Sequence, residues 1–344
     1  MASTITILIG SIGALSAWLI SAPAPFLTGP ATFVTIGALI FRLDCQIDMR
    51  VRNTSFIIIG ISTAEGINSK VLDNILKWPI SLIGMTCCIV LLVIVGKYLF
   101  QTFFKMGRND AILASTPGHL SYVLSLSASG SGNTVVISVI QSIRVLTLTL
   151  AVPATIGFFT EFNIQKTIPQ KLILNYTHLI ILITFSGLIG FVLLKLKTPA
   201  AFLLGGMFSS AIGHGFEFTP GIVPEYLAVL AFIILGSLIG SRFTGISLKL
   251  FTSCIIKGGL FTALSLIISL LGAFIITNLT DFKLIEVLIA LAPGGLETMI
   301  VMGQLVGADP AFIAFHHLAR LFLLLVILSI MIKRKNVSKK AKDE

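Results

Sequence analysis

Two Pro-Gly segments carry much of the polar chemistry in an otherwise apolar chain. The residues in them that could contact a solute are Pro117, Gly118, His119 and Ser121 in the first segment, and Pro293, Gly294, Gly295, Glu297 and Thr298 in the second. The first segment offers neutral donors and acceptors, whereas the second adds one carboxyl group. Within a membrane, non-helical backbone is tolerated only where protein, water or a solute satisfies its N–H and C=O groups. The segments therefore predict a binding site for a small polar molecule.

An apolar run with one arginine follows each segment. Asn133 and Asp309 are residues of the N-cap type, and Arg144 and Arg320 lie 11 positions after them, about 16 Å along a helix. An arginine that deep in a bilayer should face the protein interior and have a partner. Each guanidinium either contacts substrate or is structural and pairs with Glu297, a backbone carbonyl or a cap.

Further polar residues accompany the arginines. Gln141 and His317 precede them by one helical turn and share their helix face. Glu297 could carry a coupling proton or bind a cation, or it could neutralise an arginine. His119, His316 and His317 could relay protons, or one of the adjacent His316 and His317 could simply pack against a neighbour.

The elements that would hold these residues are long apolar runs. Of the 344 residues, 56% are hydrophobic and 11% charged, whereas soluble domains are about a quarter charged. This composition excludes an ordinary globular protein and predicts an all-α polytopic membrane protein. The candidate membrane spans are residues 5–20, 26–41, 55–69, 78–104, 134–158, 172–194, 200–215, 224–240, 251–279 and 311–332.

The chain contains an internal repeat at a constant offset of 176 positions. Residues 23–29 overlie 199–205, Pro117 overlies Pro293, and Arg144 overlies Arg320. The predicted organisation is a first membrane repeat at 1–158, a connection at 159–171, a second repeat at 172–334 and a basic cytoplasmic tail at 335–344.

Basic residues predict that the two repeats are inverted relative to each other. Loop 42–53 holds three arginines, but its counterpart 213–225 holds no basic residue. Placing the loops at 42–53, 97–108, 195–197 and 242–249 and the C-terminal residues 333–342 in the cytoplasm collects 16 of the 24 Lys and Arg residues. Opposite orientations require an odd number of crossings. We therefore expect an inverted 5+5 transmembrane repeat with two re-entrant Pro-Gly hairpins and both termini cytoplasmic; a broken helix at each Pro-Gly segment is the alternative.

These motifs resemble the duplicated AbrB-type family of bacterial membrane proteins. The resemblance rests on a repeated Pro-Gly-[Gly/His]-Leu element, a [Gly/Ser]-x-[Asp/Asn] turn and an arginine-bearing helix, and it covers nearly the whole chain. The first copy departs from the pattern at His119, Ser121 and Asn133. The resemblance implies a bacterial cytoplasmic membrane, and family members are labelled as ammonia monooxygenases or as regulators of gene expression.

Three functions compete for this pattern of residues. We expect a secondary transporter or exporter of a small polar, anionic metabolite that binds at mid-membrane between the hairpins, because helix N-termini and buried arginines favour negative groups. The alternative is a membrane sensor that regulates gene expression, although the tail is too short to fold as a DNA-binding domain. A metal-dependent monooxygenase is less favoured, since five histidines and four cysteines show no ligand motif.

The remaining expectations concern partners and chemistry. We expect no enzymatic activity, no metal site and no cofactor other than a coupling proton or cation. The predicted partners are the lipid bilayer and a small-molecule substrate, with no nucleic acid. A homo-oligomer is left open.

Overall fold

The described residues fold into α-helices. The computed structural model describes residues 2–65, 78–117, 133–159 and 173–331, and these form thirteen α-helices and no β-strand. Their bounds are α1 Ala2–Leu19, α2 Pro25–Leu39, α3 Met49–Ala64, α4 Trp78–Thr102, α5 Arg108–Ser115, α6 Thr134–Phe159, α7 Tyr176–Lys195, α8 Ala201–Gly215, α9 Glu225–Ser241, α10 Leu248–Leu279, α11 Leu284–Leu291, α12 Leu296–Leu305 and α13 Pro310–Met331. The all-helical prediction is confirmed.

Six of these helices are long and apolar enough to cross a membrane. They are α1, α4, α7, α10, the part of α6 at Thr134–Ala154 and the part of α13 at Pro310–Leu328. Large apolar side chains on their outer faces, such as Leu8, Ile83 and Phe185, are exposed. An apolar surface of this extent is expected where a protein contacts lipid. The helices therefore indicate a multi-pass membrane protein.

Four of the expected spans form shorter helices than a full crossing needs. Helices α2, α3, α8 and α9 have 15, 16, 15 and 17 residues, against the roughly 20 that cross a hydrocarbon layer. Helix α3 also begins earlier than expected, because the Asp48 side chain accepts a hydrogen bond from the Arg50 N–H and caps the helix there. As a result, Arg50 and Arg52 belong to the first turns of a helix and not to a loop.

Glycines allow the short helices to pack closely in two pairs. A Cβ atom on Gly60 of α3 would collide with the Leu203 carbonyl oxygen of α8, and one on Gly236 of α9 would collide with the Leu27 carbonyl oxygen of α2. Small residues permit such close backbone approach between membrane helices. The pairs α2–α9 and α3–α8 are thus closely packed.

The helix boundaries have the same spacing as the sequence motifs. Helices α2, α3, α5 and α6 begin 176 positions before α8, α9, α11 and α13, respectively. Both α2 and α8 follow an alanine with a left-handed backbone, Ala24 at φ 48° and Ala200 at φ 50°.

The prolines interrupt the helices at the Pro-Gly segments. A proline lacks the N–H that continues a helix, and it disfavours helical backbone in the residue before it. Thr116 (ψ 119°) and Ala292 (ψ 133°) are accordingly extended, and α5 and α11 end just before them. The carbonyl groups at these breaks are free to accept hydrogen bonds from other elements.

Candidate anion-binding cavity

The first buried arginine is bonded to the backbone at the break after α5. Arg144 of α6 is 2% exposed. Its Nη1 donates to the Thr116 carbonyl at 3.3 Å, and its Nη2 donates to Gln141 Oε1 at 3.0 Å. The Gln141 amide in turn donates to the carbonyls of Leu113 at 2.9 Å and Thr116 at 3.1 Å. Arginine and glutamine together therefore satisfy the carbonyls that the proline leaves free.

The second arginine makes the corresponding contacts after α11. Arg320 of α13 is 3% exposed. It donates to the carbonyls of Ala292 at 2.8 Å and Gly294 at 3.1 Å, and to His317 Nδ1 at 2.8 Å. His317 Nε2 donates to the Ile289 carbonyl at 3.1 Å. Because a carbonyl only accepts and the guanidinium only donates, these partners assign His317 as the neutral tautomer with its hydrogen on Nε2.

The two networks share a bonding pattern, although Gln141 donates to two carbonyls and His317 to one. Gln141 and His317 are separated by 176 positions, as are Arg144 and Arg320. Each member of the first pair donates to a carbonyl of the preceding short helix and accepts from the arginine one turn later. A neutral imidazole has one N–H donor and one acceptor nitrogen, and a carboxamide has an NH2 donor group and an acceptor oxygen, so either can donate on one side and accept on the other. His317 thus makes the contacts in its network that a glutamine makes in the other.

The N-terminal caps of α6 and α13 are also equivalent in the two repeats. The side chains of Asn133 and Asp309 accept hydrogen bonds from first-turn N–H groups of α6 and α13, at 3.1 and 2.8 Å. The Asn133 N–H donates to Asp110 Oδ2 at 3.4 Å, and the Asp309 N–H donates to Glu286 Oε1 at 3.2 Å. The caps therefore tie the arginine-bearing helices to α5 and α11.

A cavity of about 260 Å³ lies against both networks. At roughly 30 Å³ per water it holds eight or nine water volumes, which is small compared with the pockets that bind drug-sized molecules. The predicted site residues that line it are Gln141, Arg144, Gly294, Gly295, Glu297, His317 and Arg320. The tertiary fold thus brings together residues from both halves of the sequence.

Two further arginines line the cavity and were not predicted as site residues. Arg52 lies in the first turn of α3 and Arg242 follows the last residue of α9. Arg52 donates to Asn53 Oδ1 at 3.1 and 3.3 Å and lies 6.0 Å from the centre of the Phe56 ring. Sequence reasoning counted both arginines as loop charges. Their position within one turn of an apolar helix was the available signal that they could face the interior.

The cavity is strongly electropositive and has unused hydrogen-bond donors. Four guanidinium groups face one carboxylate, that of Glu297. Among the described residues, the buried Nε atoms of Arg144 and Arg320 have no hydrogen-bond partner. The N-terminus of α12 begins after Gly295, which also lines the cavity, and helix N-termini favour anions. This arrangement suits a small anion.

The two Pro-Gly segments meet beside the cavity. Pro117 and Pro293 line one small space of about 10 Å³, together with Arg320. Thr298 is buried but does not line the larger cavity. The predicted site residues Gly118, His119 and Ser121 lie outside the described residues.

Potential metal ligands are dispersed. Within the ranges that the structure describes, no group of three or more His, Cys, Asp and Glu residues could hold a metal ion. His316 packs at 4.1 Å between ring centres against Phe312, and its Nε2 lies 2.8 Å from Ser81 Oγ. Its Nδ1 lies 2.8 Å from the Phe312 carbonyl oxygen, so both ring nitrogens contact protein groups.

Comparisons with known proteins agree with the sequence motifs. The family described as Transition state regulatory protein AbrB matches residues 26–335. A Bacillus subtilis (strain 168) protein, YhjN, is 26% identical over 295 residues, which are 79% of this chain and 75% of the relative. An Escherichia coli (strain K12) protein named "Putative regulator AbrB" is 23% identical over 339 residues, 92% of this chain and 90% of the relative. The resemblance is confirmed, and the chain belongs to the AbrB family.

Proposed function

We propose that this protein is a secondary transporter of a small anionic metabolite, which binds in the cavity between the two arginine networks. One observation carries the proposal: the buried Nε–H groups of Arg144 and Arg320 have no partner among the described residues, although both side chains line an electropositive cavity. An unsatisfied buried donor costs about 1–3 kcal/mol, and more when it is charged. An oxyanion bound in the cavity would supply the missing acceptors if the two side chains turn their Nε–H groups, which are buried in this structure, toward it.

The packing of the helices supports an inverted repeat around this cavity. Helix α1 packs on α2 as α7 packs on α8, and α2 packs on α9 as α8 packs on α3. Exchange of equivalent partners is what a two-fold relation between two modules produces. Inverted repeats with interrupted helices are common in secondary transporters, where the substrate site lies at the interface of the repeats. The proposed re-entrant hairpins are α5 with the Pro117 segment and α11 with α12.

Hydrogen bonds at the C-terminal end of α3, which have no counterpart among the described residues at the equivalent end of α9, support alternating access. Gln304 of α12 donates to the Ser62 carbonyl and hydroxyl at 3.1 Å, and Thr63 donates to Gln304 at 3.3 Å. The position equivalent to Ser62 is Leu238, which lines the cavity and whose side chain forms no hydrogen bond. We propose that these contacts close one face while the face bearing Arg52 and Arg242 is open.

The other expectations become part of this proposal. We place the protein in the bacterial cytoplasmic membrane with both termini and the arginine face in the cytoplasm, following the distribution of basic residues. We propose transport without a catalytic step or a resident cofactor. Glu297 is the candidate for carrying a coupling proton or cation, because among the described residues it supplies the one carboxylate of the cavity lining.

Transport requires both binding and flux, so two assays test it together. Full-length protein in detergent is screened with small carboxylates, phosphates, amines and neutral solutes, and ligands that bind the folded state raise its apparent melting temperature. We expect anions to stabilise and amines to have no effect. Any anion that binds is then tested for counterflow into proteoliposomes, with empty liposomes as the control. If no solute binds, or if only amines bind, the proposal is wrong.

A membrane sensor that regulates gene expression is the second candidate. The Escherichia coli relative is named as a regulator, which favours it. A sensor would bind the anion without moving it. Stabilisation by an anion with no counterflow, in liposomes shown to contain correctly folded protein, would support the sensor and contradict transport.

A further inference from the structure

We infer that the cavity selects a small divalent oxyanion, such as a dicarboxylate or a phosphate. One negative group would contact the buried arginines Arg144 and Arg320, and the second would contact Arg52 and Arg242. The inference rests on the proposed function for the site, but it concerns how much charge the ligand carries.

The balance of charge favours two negative groups over one. Among the described residues, four arginines and one glutamate line the cavity. Uncompensated charge is costly where the charged groups are buried, as those of Arg144 and Arg320 are. A monovalent ligand leaves two excess positive charges in the lining, whereas a divalent ligand leaves one.

The free donors lie on two separate pairs of elements. The inner donors are the Nε–H groups of Arg144 and Arg320, whose other nitrogens are held by the carbonyls at the helix breaks. The outer donors belong to Arg52 and Arg242, both only half-buried, and the Arg242 guanidinium has no hydrogen bond to a described residue. Because the inner pair is held in place, a ligand that also uses the outer pair needs acceptors at two positions.

The outer pair has no counterpart in the repeat. The residues 176 positions from Arg52 and Arg242 are Ala228 and Gly66. The inner pair is therefore shared equally by the two halves, but the outer pair comes from one face alone. A second negative group would be recognised only while the cavity is open to that face.

A charge series at constant size tests the inference. Succinate, succinamate and succinamide have the same carbon skeleton and carry two, one and no negative charges at pH 7.5. The full-length chain in detergent is titrated with each compound, and with inorganic phosphate, while its apparent melting temperature is measured. We expect succinate or phosphate to bind at least about tenfold more tightly than succinamate, which is about 1.4 kcal/mol, and succinamide to have no effect.

Substitution of Arg52 and Arg242 tests whether these two side chains cause the preference for a ligand with two negative charges. We expect R242Q and R52Q to reduce the ratio of succinate to succinamate affinity to about one third or less of its value, with little change for succinamate. R50Q is the matched control, because Arg50 is exposed, lies in the same turn of α3 as Arg52 and does not line the cavity. Each variant is compared with the parent for monodispersity and unliganded melting temperature.

The outcomes separate this inference from the proposed function. If succinamate binds as tightly as succinate and phosphate, or if R52Q and R242Q both keep the full preference for two charges, the inference is wrong while transport of an anion still stands. If no member of the series binds and no anion shows counterflow, both are wrong. If phosphate binds and succinate does not, the inference of a divalent ligand stands, and the ligand carries its charges on a phosphoryl group and not on two carboxylates.

Discussion

Replacing His317 with glutamine should leave the protein nearly intact, because Gln141 already makes the same contacts in the other repeat. His317 donates to the Ile289 carbonyl at 3.1 Å and accepts from Arg320 at 2.8 Å. Gln141 makes the equivalent bonds at 2.9 and 3.0 Å. We expect H317Q to change the free energy of unfolding by less than about 1 kcal/mol, the net value of one ordinary hydrogen bond.

Leucine at the same position should be much worse. H317L fills a similar volume but leaves the Ile289 carbonyl and one N–H of Arg320 buried without a partner. At about 1–3 kcal/mol for each unsatisfied group, the loss is about 2–6 kcal/mol. For chains of 150–250 residues, each kcal/mol shifts the melting temperature by about 2–4 °C. On that scale H317L should lower it by about 4–24 °C and H317Q by less than about 4 °C.

The assay is the melting temperature of purified protein in one detergent, followed by anion counterflow at several pH values. Q141H is the reciprocal control; it gives up the second Gln141 donation, to the Thr116 carbonyl, which Arg144 also satisfies, so we expect it to fold but to be slightly less stable than H317Q. We expect the parent and H317Q to have the same pH profile, because His317 donates one hydrogen bond and accepts another, as a glutamine with no proton to transfer can do. If H317Q is as unstable as H317L while Q141H folds, the equivalence of the two networks is wrong. A change in pH profile in stable H317Q would instead show that His317 carries a proton.

Three further perturbations test the packing around the cavity. G60A should lower the melting temperature by several degrees because its Cβ would meet backbone atoms of α8, whereas G187A, where nothing lies within 4 Å, should be neutral or stabilising; equal effects of the two would contradict the packing. Q304L removes the side-chain bonds between α12 and α3, so in a cysteine-free background a cysteine at buried Ala64 should react several-fold faster with a maleimide. An unchanged rate would exclude Gln304 from closing that face. D309A should cost about 1 kcal/mol as a lost N-cap while D309N costs little, measured by melting temperature; similar losses in both would show that the carboxylate has another role.

Sequence reasoning identified the elements and their repetition well. Apolar runs of about 20 residues and prolines are local signals, because hydrophobicity and the missing proline N–H act on the residues that carry them. Four helices of the first half accordingly begin 176 positions before their counterparts in the second half. Arg144 and Arg320 are both buried, as expected. The lengths of α2, α3, α8 and α9 were less accurate, since their ends depend on capping and on the packing of neighbouring helices.

The partners of the buried charges could not be read from the residues alone. Glu297 and a backbone carbonyl were both open as partners for an arginine, and the structure shows carbonyl contacts for Arg144 and for Arg320. The free carbonyls exist because proline ends the short helices, but only the folded chain brings an arginine 28 positions away within 3.3 Å of one of them.

The amino-acid order by itself determined an apolar, duplicated, helical chain with a proline break and a deep arginine in each half, because each of these properties belongs to a residue or its nearest neighbours. Tertiary structure alone decided that Arg52 and Arg242 join the cavity, and that a histidine in one half makes the bonds of a glutamine in the other. Those relations depend on distances between helices far apart in the chain, which arise only when the helices pack against one another.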